Sequence, residues 1–422
     1  CELTWAVKWR PAMRVSDLLP LRQSTSALLV LCLSMLVAAP SLLATEGEDP
    51  ESAESTAAKN AEPEKNDDGG EAAKKQKKGP SFIPIPIIIT EPAVGYGLGA
   101  AVGYFHKNKH HEDAGGEKIS PVLTAETTAE AGKRQKVPPT ISGIAAAYTE
   151  SGTYGIGFAH SASWKKDRMR YVGAIGYAHV VTTFYFNDEP FDFTLDTGLL
   201  YQDLKFRIEK SDFWVGGKLV YLRPDLVFDD DLEDIPEVEN RTQLNDFGLA
   251  LQGEYDGRDN KMTPNRGQYV ELVGWKHLEV LGGETDYWKI GLVVDSFHEF
   301  ANKKLVLGLH LDLDTAGGDA PIWAYPWITM RGIPALRYQN ESTGVVEGEL
   351  RWNIAGRWAA VGFIGIGATR GDVPIFKDES GVVAGGLGGR FLFRPQDSLW
   401  VGIDLAKGPE QYVVYVVAGH KW

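Results

Sequence analysis

Tyr255-Asp256-Gly257-Arg258-Asp259-Asn260-Lys261-Met262-Thr263-Pro264-Asn265-Arg266-Gly267 stands between two runs in which apolar and polar residues alternate. A turn this rich in charge, with Pro264 and Gly267 at its far end, joins two antiparallel strands only where water reaches it. The alternation continues on both sides. Leu305, Leu307, Leu309, Leu311 and Leu313 are separated by Val306, Gly308, His310 and Asp312. Leu399, Val401, Ile403 and Leu405 are set against Trp400, Gly402, Asp404 and Ala406, and residues 287–296 repeat the pattern. A period of two with one apolar face is a half-buried strand.

The chain has 422 residues, a formal net charge of −14, 47 Gly, and 12 Trp, 16 Tyr and 17 Phe. A mean hydropathy of −0.20 would describe a soluble protein, but a membrane barrel gives only alternate strand residues to lipid, so the average does not discriminate. The acidic balance and the lack of a basic stripe speak against nucleic acid as a partner. Met13 reads as the start, Arg14 and Arg22 as a basic leader region, and Ala27 to Ala39 as its apolar segment, with cleavage near Ala44. That apolar run is shorter than the roughly 20 residues a transmembrane helix needs. Residues 1–44 are therefore assigned to upstream sequence plus signal peptide. Cys1 and Cys32, the two cysteines, fall within them, so disulfides, thiol chemistry and Cys-based metal sites are not expected in the exported chain. Residues 45–80 are rich in Glu, Lys and Ala with almost no large apolar side chain. Such a segment buries too little surface to offset its ordering entropy, and reads as a disordered periplasmic tail.

Residues 81–422 read as one all-β domain, a transmembrane antiparallel β-barrel. The expected strands are 83–90, 94–106, 140–149, 153–164, 169–185, 192–209, 213–226, 243–256, 266–280, 285–299, 303–314, 340–354, 358–369, 382–394, 398–406 and 411–422. Sixteen is an even number, so both chain ends lie on the periplasmic side. At ~10 membrane residues per strand the barrel uses about 160 residues and leaves the rest for overhangs and loops. Aromatics near strand ends, such as Tyr185, Phe213, Trp214 and Trp288, suit interfacial girdles. Parity places the 255–267 turn in the periplasm and the acidic run Asp229–Asp234 outside. It also places the polar insert Lys107–Pro138 in the periplasm, where turns are normally short.

Four stretches resemble the BamA/TamA superfamily of outer-membrane barrels, also called bacterial surface antigens. Phe82-Ile83-Pro84-Ile85-Pro86 followed by Gly95-Tyr96-Gly97-Leu98-Gly99-Ala100 resembles the barrel opening of its patatin-linked and TamA-like branches. The turn carrying Tyr255, Asp256, Arg258, Asp259, Asn260, Pro264 and Gly267 is the most specific match. Met330-Arg331-Gly332-Ile333 is similar to the Val-Arg-Gly-aromatic tip of the long sixth external loop, which in the family folds back into the lumen. Gly419-His420-Lys421-Trp422 is similar to the Gly-x-x-aromatic end that marks a barrel for assembly, with Gly419 and Trp422 as its signature. The resemblance covers 82–422 and implies an outer-membrane address reached through the signal peptide. The family's larger members carry periplasmic polypeptide-binding domains, and none fits in 45–80.

A guanidinium inside a barrel loses bulk water and needs carboxylates in fork geometry. Glu347, Glu349 and Arg351 share one face of their strand while Val346, Leu350, Trp352 and Ile354 occupy the other. Carboxylates on the lipid side are costly, so the glutamates point inward. The resemblance picks Glu349 as the partner of Arg331. The family's next strand offers an aspartate where this chain has Phe363-Ile364-Gly365-Ile366-Gly367; the anchor is then either weaker or rebuilt through Glu347. Asp295, Asp312, Arg390 and Arg394 are further lumen candidates.

Plain alternatives stand beside these readings: an ordinary charged hairpin for 255–267, and an external cation bound to nothing for Arg331. His110-His111-Glu112-Asp113 reads as solvated loop, not metal ligands. Gly95-x-Gly97-x-Gly99 lies on a strand with no helix after it, so it is no dinucleotide loop. With no catalytic signature present, an enzyme, a cofactor and a metal are not expected. The reading is a monomeric barrel that assists insertion or translocation of proteins at the outer membrane of a Gram-negative cell. Its partners would be outer-membrane lipids, lipopolysaccharide and unfolded outer-membrane clients. The alternatives are a passive pore or structural surface antigen without insertase activity, and, more weakly, an envelope scaffold.

Overall fold

The computed structural model describes residues 82–106, 140–186, 189–228, 241–302, 304–395 and 398–422. The leader, the charged tail, the 107–138 insert with its His110–Asp113 run, and the acidic run 229–234 lie outside the described residues, as does the side chain of Arg394. The strands are β1 (Phe82–Glu91), β2 (Gly95–Phe105), β3 (Ile141–Thr149), β4 (Tyr154–Trp164), β5 (Met169–Phe186), β6 (Glu189–Arg207), β7 (Phe213–Phe228), β8 (Arg241–Gln243), β9 (Asp246–Asp256), β10 (Gly267–His277), β11 (Tyr287–Phe300), β12 (Leu305–Gly318), β13 (Ser342–Ala355), β14 (Trp358–Arg370), β15 (Val382–Arg394), β16 (Leu399–Lys407) and β17 (Tyr412–Ala418).

Each strand pairs antiparallel with the next, from β1–β2 to β16–β17. β8 and β9 are two parts of one strand. Asp225 faces Gln243 and Leu222 faces Asp246 in the same register on β7, and the gap between them lies opposite Pro224, which has no N–H to give. The seventeen segments are thus the sixteen strands read from the alternation, and they form a nearly closed barrel. Its boundaries follow the expected ones within a few residues.

The period-two pattern sorts the faces. On β13, Glu347, Glu349 and Arg351 are buried, whereas Val346, Leu350, Trp352 and Ile354 are exposed on the outside. The outer face elsewhere carries Leu98, Ile156, Phe158, Ile175, Leu251, Ile364, Leu387 and Ile403, an apolar band suited to lipid. The inner face divides. Along β3–β5 it is lined by Ala145, Ala147, Ala159, Ala174 and Ala178, while β9–β16 bring in Glu254, Lys289, Asp295, Glu347, Glu349, Arg390 and Asp404.

One barrel end carries the turns 165–168, 208–212, 257–266, 301–304, 356–357 and 395–398, together with residues 419–422; by the parity reading this is the periplasmic end. The other carries the longer 278–286, 319–341 and 371–381. There β5, β6 and β7 overhang, and Phe184, Phe193 and Phe228 pack with Trp323, Trp327 and Leu336 of the 319–341 loop into one apolar cluster. Phe376 joins it, 5.8 Å from both Phe184 and Tyr325. Aromatic packing therefore holds the loop over the mouth.

Candidate functional site

The 319–341 loop doubles back on itself before it reaches the lumen. Trp327 bridges to Gln339, and the Ile328 N–H donates to the Tyr338 carbonyl at 3.0 Å. At the tip, the Ile333 N–H donates to Met330 O at 3.1 Å, a turn with Arg331 and Gly332 at its centre. Gly332 has φ +94°, a conformation that costs a side-chain-bearing residue. A Cβ there would also press on the backbone of Lys407 and Gly408. Its N–H donates to the Tyr415 hydroxyl at 3.0 Å, so the tip is tied to β17.

Arg331 is 1% exposed. Its Nε donates to Glu347 Oε1 at 2.8 Å and its Nη2 reaches the same oxygen. Its Nη1 donates to Glu349 Oε2 at 2.6 Å and to Asp404 Oδ2 at 3.1 Å. The guanidinium lies 3.6 Å from the centroid of Phe363, two residues before Gly365, where the resemblance would have placed an aspartate. Asp404, on β16, supplies a third carboxylate and also accepts from Arg390, whose Nη2 donates to Oδ2 at 2.9 Å. Two guanidinia and three carboxylates thus share one desolvated cluster. Asp404 was visible only as an inward position of the 399–406 alternation; nothing in sequence pointed to Arg331, 73 residues away.

The 257–266 turn is built from its own polar groups. Asp256 accepts from Arg258 Nε at 2.9 Å and lies 3.1 Å from Lys261 Nζ. It is the last residue of β9, next to the Tyr255–Phe213 ring pair (4.8 Å) at the mouth of the turn. Burial pushes its carboxyl up, but the hydrogen bond from Arg258 and the charges of Lys261 and Arg258 prevail and bring it down to about 2. The Asn260 side-chain oxygen accepts the N–H groups of Met262 and Thr263, both at 2.8 Å. Asp259 Oδ1 accepts those of Asn265 and Arg266. Such Asx contacts replace the ladder where it ends. Gly267 has φ +104°, and a Cβ there would run into the Gly257 carbonyl.

This turn meets the barrel interior. Arg351 Nη2 donates to Pro264 O at 3.3 Å and to the Asn265 side chain at 2.5 Å. Gly419, with φ +81°, bends residues 419–422 out of the β17 direction, and the His420 N–H donates to Met262 O at 2.6 Å. Trp422 stacks on His310, centroids 5.1 Å apart and 7° from parallel. His420 Nε2 lies 3.4 Å from Glu349 Oε1. The loop, the turn and residues 419–422, which sequence gave as separate motifs, therefore meet around Glu349 and Arg351. Asp295 pairs with His310 at 2.7 Å.

The last feature is the seam. β1 and β17 lie side by side, yet no ladder joins them among the described residues. The Tyr96 N–H donates to the Glu150 carboxylate and its carbonyl accepts the Glu150 N–H, so even-numbered residues of β2 turn their backbone toward β3. Antiparallel alternation leaves odd-numbered residues for the β1 ladder, where Gly97 faces Ile89 and Gly99 faces Ile87. The even-numbered row of β1, Phe82, Pro84, Pro86, Ile88 and Thr90, therefore faces β17. Both prolines fall in it, and each lacks a donor.

Fold and site together define a nearly closed antiparallel barrel of sixteen strands with a loop tip docked in its lumen. No family model matches the chain, and no curated protein matches it. Solved structures do match in fold. BamA from Haemophilus ducreyi lacking POTRA domains 1–3 aligns with a TM-score of 0.57 at 11% identity, covering 81% of this chain and 71% of that one. CdiB from Escherichia coli aligns with a TM-score of 0.53 at 9% identity, covering 82% of this chain and 63% of that one, less than two thirds of CdiB. At such identities the likeness is one of fold.

Proposed function

We propose that this barrel resides in the bacterial outer membrane and assists the insertion or translocation of other proteins there. The observation that carries the reading is the β1–β17 seam, whose β1 edge lacks two amide donors at Pro84 and Pro86. An edge that its neighbour leaves unpaired can accept a client strand by β-pairing. The loop cluster supports the same reading, because Gly332 and Arg331 bind β13, β16 and β17 from inside and hold the barrel in shape beside the weak seam.

The test is whether purified protein in liposomes of native-type lipid accelerates folding of an unfolded outer-membrane barrel. Acceleration over a heat-killed control supports the reading, and no acceleration by an intact barrel overturns it. Residues 82–422 contain no cysteine, so cysteine pairs placed between 84–90 and 412–418 can lock the seam. Full activity with the seam locked would refute entry of a client strand at this edge. A structural surface antigen without insertase activity is the second reading, favoured by one observation: loop, turn and residues 419–422 share one buried ion-paired cluster. Steady conductance insensitive to loop substitution would instead mark a passive pore.

A further inference from the structure

The outer wall of β2–β6 carries a polar row where a lipid-facing wall is ordinarily apolar. His106 Nε2 lies 2.8 Å from Ser142 Oγ, which lies 2.8 Å from His160 Nδ1. Further along the row, the Tyr171 hydroxyl donates to Gln202 Oε1. These side chains share the face of exposed Val102, Ile144, Phe158, Ile175 and Leu200. The second ring nitrogen of His160 and the Gln202 amide N–H groups have no protein partner among the described residues. Unmet polar groups are costly in hydrocarbon, so both positions favour a polar ligand.

The row lies close above the 165–168 turn of the β4–β5 hairpin. From His160 to Trp164 is four residues, about 13 Å along a strand. Lys165, Lys166 and Asp167 are consecutive left-handed residues, at φ 55°, 58° and 63°. That conformation is disfavoured for side-chain-bearing residues and persists only where surroundings enforce it. Asp167 supplies the enforcement. It is 2% exposed and accepts from Ser163 Oγ at 2.8 Å, Arg170 Nε at 2.7 Å and Arg170 Nη2 at 2.6 Å. Arg170 in turn lies over Trp214, 4.0 Å from the ring centroid. The turn's one acid is thus drawn inward and neutralised. Lys165, Lys166 and Arg168 are exposed and have no ion pair among the described residues. A chain of net charge −14 here presents a purely cationic turn beside Trp164, which is 42% exposed and stacked on Tyr171 at 5.9 Å.

We propose that the 165–168 turn and the polar row above it form a binding site for an anionic glycerophospholipid of the periplasmic leaflet. The phosphate is held by Lys165, Lys166 and Arg168, and the ester region accepts hydrogen bonds from His160 and Gln202. The acyl chains lie along the apolar wall of Phe158, Ile175 and Leu200. Juxtamembrane cations attract anionic headgroups additively, and the aromatic pair fixes the depth of the interface. The proposal rests on the reading of this chain as a membrane barrel with the parity orientation, and is independent of insertase activity.

The test is native mass spectrometry of the full chain released from nanodiscs of mixed phosphatidylglycerol and phosphatidylethanolamine. The wild type is compared with the triple variant Lys165→Gln/Lys166→Gln/Arg168→Gln and with Lys276→Gln, an exposed cation at the opposite barrel end. The expected result is retained phosphatidylglycerol on the wild type and on Lys276→Gln, with a drop on the order of ten-fold in the anionic-to-zwitterionic ratio for the triple variant. An unchanged ratio in the triple variant, or an equal drop in Lys276→Gln, overturns the site. Heat-modifiable migration of all three proteins shows that the barrel reading stands in each, so a failure then belongs to the lipid site alone.

Discussion

Two ion-paired clusters line the lumen, one held by the wall and one by a loop. On the wall, Lys205 of β6 meets Glu254 of β9 at 2.5 Å, and Lys218 of β7 meets Glu271 of β10 at 2.7 Å. Glu254 and Glu271 stand directly opposite each other in the β9–β10 ladder, a like-charge pairing that is unfavourable unless cations flank it. Here the two lysines do so; both lysines and Glu271 keep some contact with water, while Glu254 is buried. Around Arg331 the side chains are almost fully desolvated, and the central cation arrives on a loop that leaves the sheet at Gly318 and returns at Ser342. The difference teaches where stability is concentrated. Strand register already holds the wall pairs together and water reaches their lysines, so each pair adds little. The buried cluster is a commitment: with its partners present it docks the loop, and with one missing it leaves uncompensated charge.

The strongest way to break this contrast is Arg331→Ala. It leaves Glu347, Glu349 and Asp404 with one guanidinium among them and is expected to cost ~3–5 kcal/mol of loop docking. Heat-modifiability and protease sensitivity of the 319–341 loop report it, and an unchanged pattern in both would refute the lumen anchor. Asp404→Asn keeps the shape but weakens two guanidinium contacts, with an expected loss of ~2 kcal/mol in denaturant unfolding. A cost equal to that of a surface substitution would show that β16 contributes nothing to the anchor.

The 257–266 turn should respond to acid. The Asp256 carboxyl falls from an ordinary 3.8 to about 2 in the folded turn. A depressed folded value contributes stability that is fully present above about pH 4 and is lost as the pH falls toward 2. Because Lys261 is largely exposed, solvent screening limits the contribution to ~1 kcal/mol. Protection factors across 257–267, corrected for the intrinsic pH dependence of amide exchange, should fall between pH 4 and 2 in the wild type and lose that step in Asp256→Asn. A step of equal size in the variant would assign it elsewhere. The smallest effect belongs to the wall: Lys218→Met is expected to cost ~0.5 kcal/mol in chemical unfolding. A loss matching that of Arg331→Ala would erase the distinction between the clusters.

Much of the barrel was legible because alternation reports local geometry. Successive side chains of a strand point to opposite faces whatever its neighbours are, so Leu305 to Leu313 and Glu347 to Arg351 could be sorted before any partner was known. The strand expected over 243–256 takes in β9 and the end of β8, and register joins the two segments across Pro224. The composition of the site was less legible. The missing aspartate was visible at Gly365, but the Phe363 ring against Arg331 was not, and the carboxylate that meets Arg331 in addition to the two glutamates comes from Asp404, two hairpin arms further on. Sequence offered no reason to prefer it over Asp295 or Asp312, which also lie on inward faces. The outward row of His106, Ser142, His160 and Gln202 has no local signature, because each of its residues comes from a different segment of the chain.

By itself, the sequence determined the strand number, the two faces of each strand and the residue types of the turn and loop tip. Each of these depends on spacing within a few residues, and backbone geometry imposes that spacing without reference to distant parts of the chain. The tertiary structure decided which strands face each other across the lumen, where residues 419–422 turn, and which edge of β1 receives Pro84 and Pro86. Those outcomes depend on register and on how far the loop reaches inward. Both are set by packing between segments far apart in sequence, which no local pattern encodes.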